Sequence, residues 1–344
     1  MLSRDADACY WIGRYVERAE ATARMVDVHY HAALEAFLPT TVPVTVDGEE
    51  VGPLGWQPIL AISGNAADYA KRYGKENDRD VLHFFAFDFD NPDSIVSVWT
   101  AGRENARSIR ELIASEMWEE INKFYLELLD WDVDRVLKTS PHQFFHQVKN
   151  ASHLFQGILN RTMMMDEPRE WLDTGRFLER GCQTARVVDV KYHDLLPASH
   201  YNQNYPNEGM DMAGIRDPYG VGGPLDTHGW SAVLKSVSAF EMFCKTHRDG
   251  INPTNVVDFL ILNAQFPASV RHCIGRVEGC LRRIAGSSPN APVSEPERLI
   301  GRLRADLAYT NPREVIDQGL HGFLGKVLSQ CGTIGNEIAV AYLS

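Results

Sequence analysis

The chain writes one polar string twice. Residues 13–31 read GRYVERAEATARMVDVHYH and residues 175–193 read GRFLERGCQTARVVDVKYH, 162 positions later. Twelve of the nineteen positions are identical (Gly, Arg, Glu, Arg, Thr, Ala, Arg, Val, Asp, Val, Tyr and His), while apolar positions drift from Tyr15 to Phe177 and from Val16 to Leu178. Solvated charges need no such fidelity. Any fold for this chain must therefore give both copies equivalent, demanding surroundings.

The correspondence runs on beyond the string. Gly55-Trp56 matches Gly229-Trp230, Pro92-x-Ser94-Ile95 matches Pro267-x-Ser269-Val270, and Arg107 matches Arg282, with the offset growing to 174 or 175. The alternating stretch VLHFFAFD at 81–88 aligns with VVDFLILN at 256–263, which does not alternate, so both are read as helix. Helix starts are legible at Ser140-Pro141-His142-Gln143 and Ser294-Glu295-Pro296-Glu297 as capping boxes, and at Asn91-Pro92, Asn252-Pro253 and Asn311-Pro312. The strand-like VPVTV at 42–46 sits in a Pro/Gly loop. The expected fold is all-α, an internally duplicated helical bundle with pseudo-two-fold symmetry and about 12 helices. No Ser- or Gly-rich linker separates the copies, because Met163-Met164-Met165-Asp166-Glu167-Pro168 leads almost directly into the second. A single domain over 1–344 is expected, built from repeats of about 1–165 and 166–344, with 197–229 a long irregular loop.

Composition narrows the function classes. With 34 basic against 46 acidic residues, the net charge of -12 disfavours nucleic acid or an anionic membrane as the main partner. The start, MLSRDADACYWIGR, lacks a basic-then-apolar leader, and no run of eighteen uncharged apolar residues occurs, so a cytoplasmic protein is expected. Six scattered cysteines are expected as free thiols.

On a helical wheel Tyr15, Val16, Ala19, Ala23, Val26, Tyr30, Ala33 and Leu34 share a core face. The opposite arc collects Arg14, Glu17, Arg18, Ala21, Arg24, Val28 and His31; its second copy places Arg176, Glu179, Arg180, Arg186, Val190 and His193. Two readings stand side by side. In one, Glu17 pairs with Arg14, Arg18 or Arg180 in a buried structural network. In the other, both Glu-Arg pairs with Arg24 and Arg186 line a cleft where guanidinium forks take carboxylate or phosphate oxygens. Six arginines against two glutamates on the arc favour the anion site.

Those residues carry a resemblance. LSR-x-A-x-x-x-YW-x-GRY-x-ERAE-x-TAR at 2–24, GRF-x-ER at 175–180, the Pro-x-Ser-[Ile/Val] pairs, EMW at 116–118, LHGFL at 320–324 and the final Tyr-Leu resemble the alpha-E family, a bacterial helical family named for its ER motif. The resemblance implies association with ATP-grasp type ligases and transglutaminase-like peptidases, and a part in forming amide bonds. Its motif falls on Arg14, Glu17, Arg18 and Arg24, and again on Arg176, Glu179 and Arg180. Glu20 faces Cys182 and Arg4 faces Asp166, so neither belongs to a symmetric site.

The expected function is a component of an ATP-grasp-dependent amide-forming system that binds an anionic carboxylate or acyl-phosphate substrate. Arg14, Arg18, Arg24, Arg176, Arg180 and Arg186 would hold it, with His31 and His193 as possible additions. Glu17 and Glu179 would orient an amine or take its proton, which requires a raised pKa. No intrinsic cofactor is expected, ATP and Mg²⁺ belonging to the ligase; a small peptide or amino acid would be the substrate. The alternative is a non-enzymatic scaffold or partner of the ligase whose ER motifs form a structural ion-pair network.

Other constellations are weaker. His142 and His146 stand one turn apart, but Gln143 replaces a metalloprotease glutamate and no third ligand is evident in sequence, so no metal is expected. Cys273 and Cys280 read as buried small hydrophobes. GLHGFLGK at 319–326 fails the phosphate-loop spacing, and its Leu320, Phe323, Leu324, Val327 and Leu328 mark an amphipathic helix. GVGG at 220–223 has no preceding strand, and no Ser-His-Asp arrangement stands out.

Overall fold

The computed structural model describes residues 1–36, 45–46, 49–50, 55–195, 224–286 and 293–343. The side chains of 32–36, 45–50, 190–195, 224–226 and 228 lie outside that description, as do residues 196–223, so most of the expected loop at 197–229 and the His193 side chain fall outside it. Sixteen α-helices occur among the described residues. They are α1 (Ser3–Ala36), α2 (Gln57–Ser63), α3 (Ala66–Tyr73), α4 (Asp78–Ala86), α5 (Ile95–Ser108), α6 (Ser115–Leu129), α7 (Val133–Thr139) and α8 (Pro141–Thr162). The remainder are α9 (Glu167–Leu195), α10 (Pro224–Ser236), α11 (Phe240–Thr246), α12 (Pro253–Val257), α13 (Val270–Ile284), α14 (Glu295–Tyr309), α15 (Pro312–Gln318) and α16 (Leu320–Ile338). π-Helical turns extend α12 through Asp258–Leu262 and α16 through Ala339–Leu343. A two-residue antiparallel ladder pairs β1 (Thr45–Val46) with β2 (Glu49–Glu50).

The count exceeds the expected twelve because three long helical patterns are cut by left-handed residues. Gly64 at φ 75° separates α2 from α3 and Gly319 at φ 99° separates α15 from α16. Ser238 at φ 55° stands between α10 and α11. The sequence map also missed α7, which Asp132 caps by accepting from the Arg135 amide, and took 224–229 as loop where α10 has begun. Asn91 is not a cap: it ties its turn to the Phe84 carbonyl, and Ser94 caps α5 instead. Ser269 caps α13 in the same way, and Ser294 with Glu297 forms the expected box on α14. At Ser140 the cap bond forms to the Gln143 amide.

The two long helices that carry the repeated string, α1 and α9, lie together at the centre, with α5 and α8 against α1 and α13 and α16 against α9. Contacts advance together along both, so they run parallel: Tyr10 meets Gly175, Gly13 meets Arg176, and Glu17 meets Arg180. The expected core residues Val16, Ala19, Ala23 and Val26 are buried. So is much of the opposite arc, including Glu17, Arg176 and Glu179. The helix is enclosed on both faces.

What allows this is missing side-chain volume at the crossing. A Cβ built on Gly13 would sit 2.2 Å from the Leu172 carbonyl oxygen, and one on Gly175 would sit 2.0 Å from the Tyr10 carbonyl oxygen. Backbone meets backbone there, and neither wall can swing aside as a side chain could. Gly13→Ala or Gly175→Ala should therefore cost about 3 kcal/mol or more by forcing α1 from α9. Urea unfolding would show this as a lowered midpoint; a midpoint unchanged in both variants would refute the close crossing.

Candidate functional site

One turn beyond the crossing, each ER motif grips the other. Arg180 of α9 forks Glu17 of α1, Nε donating to Oε1 at 2.5 Å and Nη2 to Oε2 at 2.8 Å. Arg18 of α1 forks Glu179 of α9 through the same atoms, at 2.8 Å and 3.1 Å. Neither Arg18 nor Arg180 reaches the glutamate beside it on its own helix. Arg14 adds a bond from Nε to Glu179 Oε2 at 2.8 Å and donates to the Tyr10 hydroxyl at 3.0 Å. Gln183 donates to Glu179 Oε1 at 2.9 Å. The Glu179 side chain is wholly enclosed and Glu17 is 3% exposed.

Burial alone would raise the Glu179 pKa, but the Arg14 and Arg18 charges and the bonds from Arg18 and Gln183 hold it well below the usual carboxylate range. For Arg14, Arg18 and Arg180 burial likewise opposes charge, and the facing glutamates more than offset it, raising all three. Glu179 is thus a locked carboxylate, the reverse of the raised, proton-taking group that a base would require.

The apparent excess of arginine on the shared arc is absorbed by acids the repeat does not include. Arg18 also reaches Asp93 at 2.6 Å, and Arg176 reaches Asp173 at 2.7 Å. Burial lowers the Arg176 pKa, the Asp173 charge offsetting only part of this. Arg24 pairs with Glu20 one turn earlier. Glu20 is raised by burial but carried down to about 2 by the His153 bond and by Arg24. Arg186 alone of the six expected arginines makes no hydrogen bond or ion pair among the described residues. In its copy of the string Cys182 stands where Glu20, the partner of Arg24, stands in the first.

Past the clasp, a cleft of about 240 Å³ opens between α1 and α9. Glu17, Glu20 and Arg24 line it from α1, Arg180, Gln183 and Thr184 from α9, and His153 and Gln156 from α8. Ser236 to Ser238 and Phe266 to Ala268 close the remaining side. Gln156 holds both sides, accepting from Arg180 at 3.2 Å and donating to Glu17 at 3.5 Å. Of the expected residues, Glu17, Arg24 and Arg180 reach this cleft, while Arg14, Arg18, Arg176, Glu179 and Arg186 do not line it. Glu20, His153, Gln156 and Gln183 were missed. Glu20 had been set aside as asymmetric; the α8 residues carried no signal, because nothing in sequence tells that α8 lies along α1.

His31 is half-exposed and stands 3.5 Å from Asp27. Asp27 is buried and also takes His142 at 2.9 Å and Lys149 at 2.6 Å. The donors that come together are thus Asp27, His31 and His142, not the His142 and His146 pair. Cys273 and Cys280 are buried as expected, burial pushing both thiols up to about 12. No described helix is long and apolar enough to cross a membrane.

Comparison with known proteins gives a family and little more. The Alpha-E family model, described as a predicted alpha-helical domain with a conserved ER motif, matches residues 1–343. An uncharacterised protein of Mycobacterium bovis is 21% identical over 342 residues, covering 93% of this chain and 34% of its own length. Uncharacterised proteins of two Mycobacterium tuberculosis strains match at 21% and 20% identity with the same coverage. The chain thus spans about a third of the length of these relatives. No solved structure matches it.

Removing one partner of a buried fork leaves a bare charge, so Arg180→Ala should cost about 3–5 kcal/mol. Replacing both partners, Glu17→Gln with Arg180→Leu, should recover much of that loss; a double variant as unstable as the single one would contradict the pairing. Glu179 binds its proton less readily folded than unfolded, so its contribution is complete above its ordinary value of 4.5 and fades as pH falls below it. Stability measured by urea titration should drop through that acid range. In Glu179→Gln the drop should be shallower; an unaltered acid limb would argue against the depressed carboxylate.

Proposed function

The chain belongs to the Alpha-E family, and on that premise we propose that it is a non-catalytic binding module of an ATP-grasp-dependent amide-forming system. It holds a small amino-acid or peptide-like molecule in the cleft beside the Glu17–Arg180 fork and presents it to the ligase. The observation that carries this reading is that the ionised groups of the cleft are already matched, Glu17 with Arg180 and Glu20 with Arg24. Charges already paired favour recognition by hydrogen bonding over proton transfer.

Size and lining favour the same class of ligand. At about 240 Å³ the cleft lies below the roughly 300–1,000 Å³ of drug-sized sites and suits an amino acid or dipeptide better than a nucleotide. The amides of Gln156 and Gln183 and the hydroxyls of Thr184 and Ser236 match peptide groups, Met25, Val187, Phe266 and Pro267 a side chain, and Arg24 with His153 a carboxylate. ATP and Mg²⁺ stay with the ligase, and a transglutaminase-like peptidase would act on the same product, in the cytoplasm where ATP is present. The relatives' greater length supports work beside other domains. Glu17 and Glu179 in this reading fasten two copies of one duplicated unit about a pseudo-two-fold axis, which the matched forks and the matched Gly13 and Gly175 contacts support.

The test is a reaction of the ligase partner with ATP, Mg²⁺ and amino acids, with and without this chain. Arg24→Lys, which keeps a cation beside the buried Glu20, His153→Ala and Gln156→Leu should each raise the KM for the acceptor about tenfold or more while the far-UV signal stays normal. Product formation indifferent to all three would remove the cleft from the function.

A further inference from the structure

We propose that Asp27, His31 and His142 form a binding site for a divalent transition-metal ion, apart from the cleft and independent of its function. The three donor atoms come from two helices: Asp27 and His31 stand one turn apart on α1, and α8 brings His142 onto the same carboxylate. Their ligating atoms all lie within 4.8 Å of one another. Asp27 Oδ1 is 2.9 Å from His142 Nδ1 and 3.5 Å from His31 Nε2. For metal bonds of about 2.0–2.2 Å, adjacent ligands of a tetrahedron or octahedron stand ~3.0–3.5 Å apart. Both spacings are close to that edge.

The surroundings separate a metal site from a plain ion pair. Lys149 takes Asp27 Oδ2 at 2.6 Å, a cation that by itself balances the carboxylate. Two further imidazoles exceed what charge balance needs: His142 Nδ1 stands 2.9 Å from Oδ1 and 3.1 Å from Oδ2, and the His31 distance to Oδ1 is too long for a good hydrogen bond. A lysine on the far carboxylate oxygen acts instead as an outer partner that fixes the ligand's orientation. Asp27 is anchored at 5% exposure while His31 and His142 are 48% and 52% exposed, so the donor set is open to entry on one side. Two imidazoles and one carboxylate with open positions suit zinc, manganese or ferrous iron over calcium or magnesium. The second copy of the string preserves the start of this arrangement. Asp189 on α9 pairs with His321 of α16 at 2.7 Å, as Asp27 pairs with His142 of α8.

The experiment is calorimetric titration of the full chain, stripped with chelator, using Zn²⁺ and then Mn²⁺ near pH 7.5. His31→Ala and His142→Ala, both at half-exposed positions, should each weaken zinc binding by more than the roughly tenfold to hundredfold cost of losing an outer-shell partner. Both should melt like the parent in chelator, and zinc should raise the melting temperature of the parent but not of these two variants. His146→Ala, one turn further along α8, should bind as the parent does. Parent-like zinc affinity in His31→Ala overturns the site. So does a loss in His146→Ala without one in His31→Ala, which would place the ion on the α8 pair.

Discussion

Everything in this molecule hangs on two backbones brought into contact. At Gly13 and Gly175 no side chain separates α1 from α9, and that closeness sets the reach of each arginine one turn further on. Arg18 and Arg180 extend across the crossing to the opposite helix's glutamate, where both nitrogens of the fork meet both oxygens. A buried pair of this kind adds little net stability over a hydrophobic contact, but any slip of register strands a charge in the interior. The clasp thus selects one alignment of the helices, and α5, α8, α13 and α16 pack on the result.

The same clasp decides which groups remain for ligands. It consumes Glu179, Arg14 and Arg18 and leaves only one side of the Glu17–Arg180 fork facing a cleft. Helices that touch at one point must separate beyond it, and the space between them is filled here by α8 and by the turns before α11 and α13. The cleft is therefore lopsided although the two forks match. It owes its polarity to Glu20, Arg24, His153 and Gln156, and in the second copy Cys182 stands in place of Glu20.

Much of this was legible in the letters. Repetition of the polar string marked α1 and α9, the aligned Pro-x-Ser pairs at 92–95 and 267–270 marked roughly where the flanking helices begin, and the ER residues stood out as kept in both copies. What could not be read were the partners themselves. Asp93 and Asp173 restore a balance that looked like a surplus of arginine, and no spacing rule links Asp93 to Arg18 across 75 positions. Asp27 was visible as one of the repeated identities, yet its meaning depends on His142 and Lys149, which arrive from a helix more than a hundred residues on. Helix number was undercounted because α7 went unread and the breaks at Gly64, Ser238 and Gly319 were read through, the left-handed Ser238 carrying no compositional mark at all.

The amino-acid sequence by itself determined that the chain is helical, that two of its helices are written alike, and that Glu17, Arg18, Glu179 and Arg180 are kept in both copies. Periodicity, caps and repeated letters are local properties, and local properties survive translation into a string. Only the tertiary structure decided that each arginine crosses to the other helix, that Arg14 and Arg18 stand where they hold the Glu179 carboxyl below its usual range, and that the open space lies beside the clasp. Those outcomes depend on burial and on which charges stand within a few ångströms, and both are set by packing between segments far apart in the chain.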